Sequence, residues 1–134
     1  MEDSEGREFD SFEDFWEYYV LEHSKKITRQ LHFAGATAAL ACAATAILTP
    51  HKWTAFLIPV VGYLPAWIGH FVYEENVPAT FGNPIFSARA GMKMYRMMVE
   101  GTMDAEVERV VDDAMAAPMP PDIRPNMMTD RTLH

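Results

Sequence analysis

The sequence predicts an all-α, multi-pass helical membrane protein, with a central antiparallel hairpin of two apolar helices and amphipathic helices flanking it. Residues 33–49 carry no charge over 17 positions, and residues 53–73 carry none over 21 positions. Both stretches are close to the length that crosses a bilayer. Pro50, His51 and Lys52 form a turn between them, and apolar residues recur at helical spacing on either side.

The net charge of −8 is unevenly distributed along the chain. Residues 1–22 carry nine acids and one Arg, and residues 100–134 carry eight acids and three Arg. Residues 23–99 carry seven Lys or Arg against Glu74 and Glu75 alone, so the basic part is also the apolar part. Because these cations flank uncharged spans, nucleic-acid binding is excluded. The single cysteine, Cys42, excludes an intrachain disulfide and a thiolate metal cluster.

An amphipathic helix is predicted to begin at Ser11, after an acidic arm over residues 1–10. Ser11 and Asp14 have the spacing of a capping box. The apolar stripe then ends on a histidine, following the positions Phe12, Phe15, Trp16, Tyr19 and His23. Such a helix is expected either to lie at a membrane interface or to cover a helical core.

The two central spans differ in character. A helix over residues 28–49 carries small residues along one stripe, which allows a neighbouring helix to approach closely: these are Gly35, Ala39, Cys42 and Ala46, following His32. The second span, 53–73, contains Pro59 and Pro65, which are expected to kink or break it.

Two further amphipathic helices are predicted after a loop over residues 76–84. The first covers about 86–100, and the second covers about 104–116 with Val107, Val110, Val111 and Met115 on its apolar face. The Pro-rich remainder is predicted to be disordered. The chain is thus divided into an arm (1–10), a membrane-embedded helical domain (11–101), and a helix with a disordered tail (102–134).

Three histidines are predicted to converge at the open end of the hairpin. His32 lies 19 residues before His51, and His70 lies 19 residues after it, so an antiparallel hairpin brings His32 and His70 to the same depth. His23, just outside that end, can join them. Neutral imidazoles with a nearby carboxylate, Glu74, suit a non-haem Fe(II) site. Zn(II) accepts the same ligands, so the donor set leaves the metal open.

Glu74 follows His70 by one helical turn. Its spacing is compatible with a direct ligand, with an acceptor for an imidazole N–H, or with a charged helix end beside Glu75. Since helical side chains lean toward the preceding turn, the acceptor role is expected. His51 is expected to lie at the turn without binding metal.

Basic residues indicate the topology. Only Lys52 lies at the closed end of the hairpin, and six cations lie at the open end, which predicts that both termini are cytoplasmic: these are Lys25, Lys26, Arg29, Arg89, Lys93 and Arg96. The membrane is expected to be the inner membrane in a bacterium or the endoplasmic reticulum in a eukaryote.

Several sequence blocks occur in a fixed order between residues 11 and 100. They are Phe12-x-x-Phe15-Trp16 with Tyr19, Glu22-His23-Ser24, Thr28-Arg29-x-Leu31-His32-Phe33-x-Gly35, Ala66-Trp67-Ile68-Gly69-His70 through Glu74, and Asn76-x-Pro78-Ala79-Thr80-Phe81 with Pro84 and Ser87. In these blocks the chain resembles a family of small integral-membrane proteins whose characterised fungal member is an endoplasmic-reticulum 2-hydroxy fatty acid (2-hydroxy-palmitate) dioxygenase.

The resemblance implies an Fe(II)-dependent dioxygenase of fatty acid α-oxidation. Its co-substrate would be O2, its products would be CO2 and the acid one carbon shorter, and its essential histidines would correspond to His23, His32 and His70. The expected partners are the lipid bilayer and a 2-hydroxy fatty acid, whose carboxylate would be attracted by Lys25, Lys26 and Arg29.

Two other functions remain open from the sequence alone. One is a non-catalytic membrane or scaffold protein that binds partners through its acidic ends. The other is a zinc-dependent membrane hydrolase acting on a lipid ester or amide. Homo-oligomerisation, the native substrate and its chain length are also left open.

Overall fold

The computed structural model describes residues 8–117, and helices account for most of that part of the chain. The prediction of an all-α fold is confirmed. Residues 1–7 of the predicted arm and the predicted tail after residue 117 lie outside the described residues. The α-helices are α1 (Phe12–Leu21), α2 (Lys26–Leu48), α3 (Ile58–Ile68), α4 (Pro84–Glu100) and α5 (Met103–Ala116). Short 3₁₀ turns cover Lys52–Leu57 and Ala79–Phe81, and a π-helical segment covers Gly69–Glu74.

Helix α1 covers a helical core, which is the second of the two arrangements expected for it. The Ser11 hydroxyl accepts a hydrogen bond from the Asp14 backbone N–H at 3.1 Å, as its position predicted. The predicted apolar stripe of α1 is buried against α4 and α5. The buried residues of this core include Phe12, Phe15, Trp16, Tyr19, Ala90, Met94, Met103, Val107 and Val110.

The apolar face of α5 is shifted from the prediction. Val107 and Val110 are buried as expected, but Met115 is 73% exposed, so its assignment to the buried face is wrong. Met103 is buried instead, because α5 begins one residue earlier and its buried residues lie in the first half of the helix. Asp104 at its start bonds to Arg29 of α2 at 2.9 Å.

Two stretches are long and apolar enough to cross a membrane, namely Lys26–Leu48 and Lys52–Glu74. Each has 23 residues, with mean hydropathies of 1.7 and 1.6. Only 6% and 17% of their most apolar windows are buried inside the described chain, so their apolar side chains mostly face outward. A core helix of a soluble protein of the same composition would be mostly buried.

Helix α2 packs closely against α3 and the π-helical segment. A Cβ atom added to Gly35 would lie 2.8 Å from the carbonyl oxygen of Gly62, and one added to Gly69 would lie 2.9 Å from the Cγ2 of Thr28. Both glycines are therefore required by close backbone approach. Thr28 in the first turn of α2 lies against Gly69, and Gly35, farther along α2, lies against Gly62. The two stretches therefore run in opposite directions where they touch.

The stretch 52–74 is helical without being a continuous α-helix. Pro59 lies in the first turn of α3, where the backbone N–H groups have no acceptor within the helix, so its missing N–H costs no hydrogen bond. Pro65 lies inside α3. The π-helical segment that follows was not predicted. The residue after it, Glu75, has a left-handed φ of 59°, and Asn76 then donates its backbone N–H to the His70 carbonyl at 3.1 Å. Glu74 still follows His70 by nearly one turn of this segment, but its carboxylate accepts from the Lys25 backbone N–H, and the hydrogen bond of His70 is made with Asn76 instead.

Candidate metal centre

The three predicted histidines come together between α1, α2 and the π-helical segment. One ring nitrogen of each lies within 4.8 Å of those of the other two. The Nε2 atoms of His23 and His32 are 3.2 Å apart. The three rings are nearly perpendicular to one another, with centroids 4.5 to 5.0 Å apart. His23 and His70 are almost fully buried.

Backbone carbonyls determine the tautomer of two of these rings. His23 Nδ1 lies 2.7 Å from the Tyr19 carbonyl oxygen, and His32 Nδ1 lies 3.0 Å from the Thr28 carbonyl oxygen. A carbonyl oxygen only accepts hydrogen bonds, so Nδ1 must donate in both rings. The lone pair of each imidazole is therefore on Nε2, the atom that faces the cluster.

The third ring is oriented by Asn76. His70 Nδ1 lies 2.7 Å from the Asn76 side-chain oxygen. The Asn76 amide nitrogen donates to the Glu22 carbonyl oxygen at 3.0 Å and to the Glu22 carboxylate at 2.6 Å. Because both Glu22 groups can only accept here, the NH2 end of the amide must face Glu22, and its oxygen must face His70. His70 therefore also donates from Nδ1. The spacing of Glu74 to His70 had predicted this acceptor role for Glu74, and in the sequence Asn76 stands out only as part of the block that begins after Glu75.

This arrangement has the properties of a divalent metal site. Burial, followed by the adjacent His32 and His70 rings, holds the pKa of His23 well below its usual range, which favours the neutral imidazole. Facing Nε2 lone pairs 3.2 Å apart are unfavourable in a buried site unless a cation lies between them. Two imidazoles that bind one ion at about 2.0–2.1 Å are at most about 4.2 Å apart. The three nitrogens meet that limit with a shift of less than about 1 Å, so the residues fit a metal.

Arg29 holds the turn that carries His23. Its guanidinium group donates to the carbonyl oxygens of His23 at 2.8 Å and Ser24 at 2.6 Å, and to the Asp104 carboxylate at 2.9 Å. The Arg29 side chain is only 5% exposed. Tyr19 stacks on the other side of His23, with ring centroids 4.0 Å apart. Arg29, a predicted headgroup-binding residue, thus positions a predicted ligand.

Lys25 and Lys26 lie nearby but not at the histidines. Lys25 donates from Nζ to the Tyr73 carbonyl oxygen. Lys26 pairs with Asp104 at 3.2 Å, and both of these side chains are more than half exposed. Lys26 and Arg29 both pair with the Asp104 carboxylate, whereas Lys25 bonds to the π-helical segment.

Glu74 stabilises the start of α2. Its carboxylate accepts a hydrogen bond from the Lys25 backbone N–H at 2.8 Å and one from the Ser24 hydroxyl at 3.4 Å. Lys25 is the N-cap residue of α2, whose first N–H groups have no partner within the helix. A carboxylate at this position also interacts favourably with the helix dipole.

A cavity of about 370 Å³ adjoins the three histidines. This volume is within the range of about 300–1,000 Å³ that is usual for small-molecule sites. Beyond the histidines its walls are mostly apolar and come from α2, α3 and the loop before α4. Neither Glu74 nor the three predicted headgroup-binding residues line it. The lining residues include Tyr19, Ala36, Ala39, Ile58, Pro59, Gly62, Tyr63, Ala66, Trp67, Pro78, Ala79 and Thr80.

Comparison of the chain with characterised proteins and with solved structures gives no significant match. A family model described as 2-hydroxy-palmitic acid dioxygenase Mpo1-like matches residues 9–103. The matched range contains the three histidines, Asn76 and Arg29. It covers most of the 134 residues, and the family expected from the sequence blocks is thereby confirmed. The chain belongs to the Mpo1-like family.

Proposed function

We propose that this protein is an Fe(II)-dependent dioxygenase that oxidatively decarboxylates 2-hydroxy fatty acids. The observation that supports this most directly is the convergence of three imidazoles, each with Nδ1 bonded to an oxygen, at one end of an apolar cavity. The reaction R–CH(OH)–COOH + O2 → R–COOH + CO2 + H2O balances without an external reductant. The acid released is one carbon shorter than the substrate.

His23, His32 and His70 would hold the iron through Nε2. Three protein ligands leave positions for a chelating substrate and for O2, as in other non-haem iron oxygenases. Bound Fe(II) would supply the redox chemistry that activates O2. The chain itself orients the ligands, because Tyr19, Thr28 and Asn76 each accept a hydrogen bond from one Nδ1–H.

We also propose that Lys26–Leu48 and Lys52–Glu74 cross the membrane as an antiparallel hairpin. Their length, hydropathy and outward-facing side chains support this arrangement. The six basic residues near one end favour cytoplasmic termini, in the bacterial inner membrane or the endoplasmic reticulum. Lys25 and Lys26 would then lie at the headgroup level, where they can attract an anionic fatty acid before its carboxylate reaches the histidines.

Metal analysis combined with a turnover assay tests the proposed reaction. Protein purified in detergent is expected to contain one equivalent of iron per chain and to convert 2-hydroxypalmitic acid to pentadecanoic acid and CO2 in the presence of O2. Stoichiometric zinc together with hydrolysis of a lipid ester or amide would refute the dioxygenase and identify the protein as a hydrolase. Absence of stoichiometric metal after reconstitution would identify it as a non-catalytic scaffold.

A further inference from the structure

The cavity beside the histidines has one polar end and an apolar body. The ring nitrogens of His23, His32 and His70 form the polar end. The body lies between α2 and α3 and is lined by alanine, glycine, proline and isoleucine side chains. A molecule that is complementary to this distribution has a metal-binding head and an alkyl tail.

We propose that this cavity is an acyl groove that holds about the first eight or nine carbons of the fatty acid behind its head group. The tail points toward the turn at residues 49–51, and the remaining carbons lie outside the groove against the outer face of α3. This inference rests on the proposed function for the identity of the head group, whereas the path of the tail rests on the cavity.

The depth of the groove determines the number of carbons. Seven residues of α2 separate His32 from Ala39, which is about 10 Å of helix, and eight residues of α3 separate Ala66 from Ile58, which is about 12 Å. An extended alkyl chain with C–C bonds of about 1.5 Å advances about 1.25 Å per carbon. The groove therefore accommodates about eight or nine carbons.

Small residues determine its width. Ala39 and Gly62 both line the cavity, and a Cβ atom added to Gly62 would lie 3.6 Å from the Ala39 Cβ. The two helices are therefore nearly in contact at this level, which makes Ala39 and Gly62 the floor of a groove that runs along the seam between α2 and α3. A large side chain at position 39 would fill the groove at this point.

Two residues mark where the tail leaves the groove. Pro59 and Tyr63 line the cavity and also a second apolar depression on the outer face of α3. Pro59 lies at the end of the groove far from the histidines, and Tyr63 is 49% exposed. A tail that passes between these residues reaches the surface proposed to face lipid. Carbons beyond about the tenth therefore add little to recognition by the groove.

Photo-crosslinking of the full chain tests the path of the tail. The probes are palmitic acid with a diazirine at carbon 4 and palmitic acid with a diazirine at carbon 9, added to the protein as purified in detergent micelles. The carbon-4 probe is expected to label Ala66 or Trp67, and the carbon-9 probe is expected to label Ala39, Ile58 or Pro59. The reverse order, or labels confined to residues outside the cavity, would overturn the proposal.

A matched pair of variants tests the width of the groove. Ala39→Phe is expected to reduce carbon-9 labelling by at least about tenfold, which corresponds to excluding about two methylenes. Ala41→Phe, at an exposed position of the same helix, is the control, and we expect the carbon-9 probe to label it as strongly as the wild type. Should Ala39→Phe fail to fold, Ala39→Leu places a smaller side chain at the same position of the cavity lining and is expected to reduce carbon-9 labelling by a smaller factor. Unchanged labelling in either folded cavity variant contradicts the acyl groove.

This experiment separates the groove from the reaction, because the probes lack the 2-hydroxyl that the proposed reaction requires. Groove labelling in a protein that does not turn over 2-hydroxypalmitic acid would support the acyl site and refute the dioxygenase. Turnover without groove labelling would refute the acyl site alone.

Discussion

The side-chain oxygen of Asn76 lies 2.7 Å from Nδ1 of His70, and the Asn76 amide nitrogen is held by Glu22. This pair joins the loop after the π-helical segment to the end of α1. It makes Asn76 a positioning residue, because it determines which nitrogen of His70 faces the other two imidazoles.

Removal of the Asn76 amide is expected to weaken metal binding. Asn76→Ala leaves the His70 ring without its Nδ1 acceptor, and loss of such a partner typically lowers metal affinity or activity by about 10–100-fold. Competition between the protein and a chelator of known affinity measures this change directly. Glu75→Gln, at the neighbouring exposed residue, is the control and is expected to bind metal like the wild type.

A restored hydrogen bond distinguishes positioning from general stability. Asn76→Asp keeps an acceptor for His70 but places a carboxylate against the Glu22 carboxylate, so metal affinity is expected to fall. Adding Glu22→Gln to that variant supplies a donor and is expected to recover part of the affinity. If Asn76→Ala binds metal normally, the orienting role of Asn76 is refuted.

Each histidine of the cluster is expected to be required for metal. His23→Ala, His32→Ala and His70→Ala should each eliminate stoichiometric metal, because two imidazoles cannot easily retain the ion. His51→Ala, at the turn between the two apolar stretches, should retain it. Elemental analysis of the purified variants measures the stoichiometry, and metal retained by any two of the three cluster variants would refute the ligand set.

Glu74 is expected to affect stability more than metal content. Glu74→Ala removes the acceptor for the Lys25 N–H at the start of α2, and loss of a helix cap costs about 1 kcal/mol. Thermal unfolding in detergent should show a lower midpoint, with one equivalent of metal still bound in the folded protein. A variant that unfolds like the wild type but has lost its metal would instead support the ligand-orienting role predicted from the sequence.

Glu106 provides a pH test of the contact between α1 and α5. Hydrogen bonds from Arg109 first, and also from Trp16, lower the pKa of Glu106 to about 2. Because the pKa is lowered by folding, this stabilisation is complete above the ordinary value of about 4.3 and is lost as the pH falls toward 2. The difference in unfolding temperature between the wild type and Glu106→Gln is therefore expected to be larger at pH 6 than at pH 3. An equal difference at both values would show that the charge of Glu106 contributes nothing.

Reporter fusions test the membrane hairpin. A reporter at Asp10 and one after Pro121 are both expected to read cytoplasmic, since six basic residues flank the same end of the two proposed spans. A reporter inserted at His51 should read the opposite side. Opposite readings from the two terminal fusions would refute a two-span hairpin.

Local pattern in the sequence was sufficient for much of the fold. The Ser11 cap, the buried stripe of α1 and the two long apolar stretches all depend on residues that are close in sequence, so their spacing predicts them. The meeting of the three histidines was also predictable. It follows from the turn at residues 50–52 and from equal chain lengths on either side of it.

The surroundings of the histidines were decided by tertiary structure. Asn76 bonds to Glu22 across 54 positions, and Glu74 bonds to Lys25 across 49. No periodicity in the sequence encodes such pairs. Glu74 bonds to the start of α2, and the left-handed residue after the π-helical segment precedes Asn76, whose side chain lies beside the His70 ring. Hydrogen bonds among buried groups thus selected the partner of His70, because a buried imidazole N–H must find an acceptor wherever the packed chain supplies one.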